Sequence, residues 1–197
     1  MGNREDLLAG AKRCLYEKGY ARTTARDIAA ASGVVSLAAI GYHYGSKEAL
    51  LNAALQQAME EWGDDLGRTL ATETDPDLTP EERFTATWAA VIRSVTENRS
   101  LWAVQFELIA HNKTMPEMRE RLTESSRQAR AGLVELFAGL GRAADDDDKG
   151  TDLAGSLYQA LLIGVAAQWL VDPETAPSAR DLVAALRTVT TALSPAG

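Results

Sequence analysis

Cysteine occurs once in the 197 residues, at Cys14, and histidine twice, at His43 and His111. A single cysteine excludes an internal disulfide and a thiolate metal cage. The two histidines lie too far apart to form a ligand pair, so neither a metal nor a cofactor is expected. Cys14 falls on a helical apolar stripe with Leu7, Leu8, Ala11 and Leu15, where a thiol behaves as a small buried hydrophobe. Long apolar runs are also missing. The longest, around Ala160 to Val171, is interrupted by Gly164 and Gln168 and reads as a buried helix, short of the roughly 20 residues that cross a bilayer. The opening residues Met1 to Asp6 lack the apolar segment of a signal peptide, and Gly2 is not followed by the Ser or Thr of a myristoylation motif. The expectation is a cytoplasmic protein with no membrane partner. No repeat and no convincing strand pattern is visible.

Charge is plentiful but uneven. The net charge is -8, yet residues 1–47 carry seven Lys and Arg against four Asp and Glu, a net of +3, while the remainder carries 13 against 24, a net of -11. A basic head on an acidic body does not exclude a nucleic-acid partner. Screening confines phosphate attraction to about 8–10 Å, so only the charge of the contacting face matters.

Start and stop signals divide the chain into about nine helices, an all-α fold. Asn3 with Asp6 caps a first helix to Lys18, closed by Gly19. Thr24 with Asp27 forms a capping box for a very short second helix, Ala25 to Ser32, ended by Gly33. Ser36 caps a third through about Gly41, and Ser46 a fourth from Lys47 to about Thr69. Thr79-Pro80-Glu81-Glu82 is the clearest helix start. Further helices are expected over Arg99 to Asn112, Pro116 to Leu140, Asp152 to Leu170 and Ala179 to Leu193, the last opened by a Ser178–Asp181 box. Asp145 to Asp148, with Lys149 and Gly150, read as a solvated loop.

Helices as short as the second and third gain little from propensity and must be held by neighbours. Two in succession across a glycine turn make the helix-turn-helix pattern, in which the first positions the second in the major groove. Ile28 and Ala29 face a core with Leu7, Leu15 and Ile40, which leaves Ser36, Ala38, Ala39, Tyr42 and His43 to face outward. Small side chains allow close approach to base edges, and Lys47 at the start of the fourth helix offers a charge to a phosphate. The alternative is that Tyr42 and Tyr44 close a hydrophobic core.

The block "TTARDIAAASGV", Thr23 to Val34, followed by "IGYHYGSKEALL", Ile40 to Leu51, resembles the DNA-binding head of TetR-type transcriptional regulators. The resemblance covers about the first 50 residues. It implies a head at 1–46, with three helices including the helix-turn-helix, and a larger helical body at 47–197 for ligand binding and dimerisation. It also implies DNA contacts from Thr24 and Arg26 in the second helix, from Tyr42 and His43 after the third, and from Lys47. Two positions depart from the family pattern: the turn Gly33-Val34-Val35-Ser36 is one residue longer, and Gly41 stands where a tyrosine is frequent.

In the body, Leu182, Leu186, Val189 and Leu193 recur at helical spacing, and Ala160, Gly164 and Ala167 form a small-residue stripe. The resemblance implies a homodimer through these last two helices; the alternative is that both stripes serve the monomer core. Large side chains concentrate at Phe84, Trp88, Trp102, Phe106, His111 and Met115, joined later by Tyr158 and Trp169. Trp102 and Phe106 share a face, with Gln105 and Glu107 as polar handles. These residues read either as aromatic core or as a small-molecule pocket, and the resemblance places an inducer cavity here. The resemblance implies a repressor that binds a palindromic double-stranded DNA operator as a dimer and is released by a small molecule. An enzyme is disfavoured by the lack of paired ligands or an activated nucleophile. A helical protein–protein adaptor is the rival reading, disfavoured by the basic head.

Overall fold

The computed structural model describes residues 4–34, 36–73, 75, 77–111, 116–137 and 148–193. Among these residues there are nine helices and no strands: α1 Arg4–Lys18, α2 Ala25–Ser32, α3 Ala38–Tyr44, α4 Lys47–Glu73, α5 Pro80–Glu97, α6 Arg99–His111, α7 Pro116–Leu136, α8 Asp148–Val171 and α9 Ala179–Leu193. The chain forms two compact units, Met1–Asp64 with Asn98–Glu120, and Asp65–Glu97 with Arg121–Gly197.

Capping chemistry sets most of the boundaries. Thr24 and Asp27 form the expected reciprocal box at the start of α2, and Gly33 closes that helix in the left-handed region at φ 68°, its N–H turned back to the carbonyls of Ala29 and Ala30. Ser46 accepts from the Ala49 N–H at 3.0 Å and opens α4. The Thr79–Glu82 and Ser178–Asp181 boxes open α5 and α9 in the same way. Asn3, Val35, Asn112, Met115 and Leu140 lie outside the described residues.

Three expectations are corrected. Ser36 does not cap α3 with its hydroxyl: the N-cap is Leu37, in helical conformation and without a side-chain bond, and Ser36 supplies only its carbonyl to the Ala39 N–H. α3 then continues to Tyr44, so Tyr42 and His43 belong to its last turn and do not follow it. α8 begins at Asp148, which makes the backbone of Asp148, Lys149 and Gly150 helical where a loop was expected.

In the first unit, α1 packs on α2 and on α6. Leu7, Leu15, Ile28, Ile40, Leu50 and Leu51 are buried there, each contributing roughly 1.5–3 kcal/mol relative to exposure. Cys14 is buried among them, and desolvation pushes its thiol pKa up, as a structural cysteine requires. In the second unit α5 packs on α8 and α9, and Glu81 of α5 pairs with Arg187 of α9.

α8 departs from the buried helix expected of it. The segment Asp152–Val171 is long and apolar enough by length and composition to cross a membrane, yet only 22% of that stretch is buried within the chain.

Candidate nucleic-acid interface

The second and third helices are short and are fixed by everything around them. Arg13 of α1 donates to the Ala31 carbonyl of α2, and Lys18 pairs with Asp27 at 2.5 Å. Gly10 lets the α1 backbone close on Ser32, where an added Cβ would sit 2.8 Å from the Ser32 Cβ. Buried Thr23 donates to the Gly19 carbonyl at 2.7 Å. From α3, the Tyr44 hydroxyl donates to the Arg4 carbonyl at 2.9 Å, and the Arg4 guanidinium lies over the Tyr44 ring at 5.3 Å. Lys12 ties α1 to Glu61 of α4.

This bracing turns one face of α3 outward. Ile40 is 3% exposed, while Tyr42 is 86% exposed with its ring edge-on to His43. Ser36, Leu37, Ala38 and Gly41 are exposed; Ala39 and His43 are half-buried. The two tyrosines therefore part company: Tyr44 is tied back to α1, and Tyr42 is presented to solvent.

The cations of the head are largely committed to holding it together. Lys47 donates to the Thr23 carbonyl at 3.1 Å and lies 3.4 Å from Glu48. Arg22 donates to the Lys18 carbonyl at 2.8 Å. Thr24 is engaged in its capping box. Arg26, exposed on α2, is the head cation that makes no hydrogen bond, ion pair or ring contact among the described residues.

The candidate ligand residues fall in both units. In the first, Trp102 is buried edge-on against Trp62 at 5.1 Å and lies 6.3 Å from Phe106; Gln105 is half-buried. The His111 side chain lies outside the described residues. In the second, Phe137 stacks on Tyr158 at 4.7 Å and lies tilted against Trp88 at 5.1 Å, and the Trp169 indole donates to the Pro177 carbonyl at 3.1 Å. The indole N–H groups of Trp62, Trp88 and Trp102 are buried without a hydrogen-bond partner among the described residues. Such donors are costly and rare. Trp62 escaped the sequence reading because its stretch of α4 is dominated by charge.

Glu107, expected as a polar handle, is engaged by backbone. Its carboxylate accepts from the Tyr20 N–H at 2.7 Å and from the Ala21 N–H at 2.8 Å, in the turn between α1 and α2. No periodicity could reveal a contact across 86 residues of chain.

Residues 7–54 match the family model for bacterial regulatory proteins of the tetR family, and residues 80–194, more than half of the chain, match the model for the BetI-type transcriptional repressor C-terminal region. The chain belongs to the TetR family. Its membership makes it a transcriptional regulator with an N-terminal helix-turn-helix and a larger helical C-terminal region. A probable helix-turn-helix regulator, ArpR of Pseudomonas putida, is 26% identical over 180 residues, covering 87% of this chain and 82% of the relative. The repressor AcnR of Corynebacterium efficiens is 29% identical over 127 residues, 63% of this chain and 58% of the relative. The TetR-family repressor FadR of Thermus thermophilus, solved with lauroyl-CoA, shares the fold at a TM-score of 0.64 and 20% identity, covering 99% of each chain. These relatives are regulators, not enzymes.

Proposed function

We propose that the protein is a ligand-responsive repressor that binds a palindromic operator as a homodimer in the cytoplasm. The head, 1–46, reads DNA and the body, 47–197, dimerises and binds a small molecule. The observation that carries the reading is the outward face of α3: a seven-residue helix anchored by Ile40, with Ala38 and Tyr42 left to solvent. Small residues at this face allow the helix into a major groove. Ser36, Ala38 and Ala39 approach base edges, Tyr42 and His43 donate to phosphates, and Arg26 enters from α2 as a free cation. Thr24 and Lys47 contact the backbone from positions already fixed by internal bonds.

The dimer reading rests on exposed apolar surface. Leu153, Leu157 and Val171 of α8 and Val189 and Leu193 of α9 are exposed in the single chain, Leu193 to 78%. An apolar face of this extent on two successive helices marks an interface. Two heads spaced by about 34–36 Å would then meet successive major grooves.

The ligand reading rests on the buried aromatic clusters around Trp102 and Trp88 and on their unsatisfied indole donors, which an acceptor-bearing molecule would satisfy. The acyl-CoA complex of the Thermus relative supports ligand control in this fold. Release follows if the ligand binds a body conformation that misplaces the heads more tightly than the DNA-bound one. Binding to random duplex DNA at rising salt tests the core of the proposal: a DNA reader shows a steep loss of affinity, and a protein–protein adaptor shows no binding at any salt.

A further inference from the structure

The turn between α1 and α2, Gly19 to Thr24, sets where α2 and hence α3 point. It is held from α6 by one side chain. Both oxygens of Glu107 are used: Oε2 accepts from the Tyr20 N–H at 2.7 Å and Oε1 from the Ala21 N–H at 2.8 Å. Hydrogen bonds to an ionised acceptor are roughly twice as strong as neutral ones. Gly19 makes room for the carboxylate. Its φ is 80°, and a Cβ there would lie 3.0 Å from Glu107 Oε2. An open groove of about 380 Å³ runs along the α1–α6 seam, lined by Leu15, Lys18, Arg22, Ser100, Val104 and Glu107 itself. Tyr20 also donates its hydroxyl to Asn52 of α4 at 3.0 Å, so this one residue is bound by both long supports of the head.

We propose that Glu107 is a positioning residue for DNA reading: its carboxylate fixes the α1–α2 turn at Tyr20 and Ala21, and through that turn α6 contributes to the orientation of α2 and α3. The inference rests on α2 and α3 being the DNA-reading unit. It adds a route from the body, because Trp102, Gln105 and Phe106 lie on the same helix within about one and a half turns of Glu107. A displacement of α6 by an ångström lengthens both bonds beyond hydrogen-bonding range.

The test uses the full chain and two readouts: exchange of the Tyr20 and Ala21 amides, and affinity for the duplex that the wild-type protein selects from a random pool. In Glu107→Ala both amides exchange at least about tenfold faster, and affinity falls about tenfold. The salt slope is unchanged, since no phosphate contact is lost. The Ile28 amide, bonded to the Thr24 carbonyl at 3.1 Å, stays protected and reports that α2 is folded. Glu107→Asp, too short to reach, behaves like Glu107→Ala. Glu107→Gln keeps one acceptor and loses about threefold; should Glu107→Ala fail to fold, the same two readouts on Glu107→Gln decide. Unchanged amide exchange overturns the proposal. So does wild-type affinity, and so does a gain in affinity, which would mean that the carboxylate merely repels phosphate. A wild-type chain that binds no duplex sinks the function on which the inference rests; duplex binding that survives the loss of Glu107 sinks the inference alone.

Discussion

Lys47 Nζ donates to the carbonyl oxygen of Thr23 at 3.1 Å, so the lysine that opens α4 closes the entry to α2. Arg26, on α2 itself, has no such partner among the described residues. The two cations therefore separate experimentally. Lys47→Ala lowers folding stability by about 1 kcal/mol, through a lost charge-assisted bond that is partly solvent-screened, and also weakens DNA binding with a salt slope lower by about one. Arg26→Ala weakens DNA binding and leaves the thermal midpoint within about 1 °C of wild type. Thermal unfolding paired with a salt titration of DNA binding distinguishes the two. A stability loss in Arg26→Ala would contradict the assignment.

Gly41 sits inside α3 with nothing within 4 Å of where a Cβ would lie, so packing does not require a glycine there. Gly41→Ala should raise stability by about 0.5–1 kcal/mol. If close backbone approach to DNA is why the helix stays bland, the same variant binds its duplex more weakly. Higher stability with unchanged affinity would remove Gly41 from the interface.

Two glycines of α8 make opposite forecasts. A Cβ on Gly155 would stand 2.9 Å from the Arg130 carbonyl of α7, so Gly155→Ala should cost about 1–3 kcal/mol in unfolding experiments. A Cβ on Gly164 meets nothing within 4 Å in the single chain. Gly164→Ala should leave the isolated fold intact yet weaken dimerisation in sedimentation equilibrium, because the stripe with Ala160 and Ala167 is read as the place where α8 meets its copy.

Acid sensitivity should be traceable to the helix caps. Donation from Lys18, and then from the Thr24 hydroxyl and N–H, holds the Asp27 carboxyl well below its ordinary value. Thr79 acts likewise on Glu82, and Ser178 on Asp181. A carboxyl whose folded pKa is depressed adds stability above its unfolded pKa, near 3.9, and loses it as pH falls toward the folded value. The destabilisation caused by Asp27→Asn should thus be full at pH 7 and shrink below about pH 4. Urea unfolding at pH 7 and pH 3 checks this, and an equal difference at both would contradict the cap's role.

The parts of the fold that could be read from sequence are those with local chemistry. The bounds of α2 and α9 follow from Thr24–Asp27 and Ser178–Asp181, because a reciprocal cap uses residues three apart and needs no tertiary context. The start of α3 was not legible for the opposite reason: Leu37 offers no capping group, and the helix exists because Ile40 is buried and Tyr44 is tied to Arg4. Exposure of Tyr42 against retention of Tyr44 depends on the same tertiary contacts. Glu107 was visible as a polar residue beside Trp102 and Phe106, but its partners are backbone amides of a distant turn, and side-chain spacing carries no information about those. The small, capped elements that mark the head thus announced the family, whereas the internal ties that aim them emerge only from the packed structure.

Selection of bound duplexes from a random pool decides whether α3 reads DNA in symmetric pairs. A dimeric reader enriches two inverted half-sites whose centres lie about one helical turn, or a multiple of it, apart, and binds them with an affinity that falls steeply with salt. Recovery of a single asymmetric half-site, or no enrichment over the starting pool, would contradict that reading.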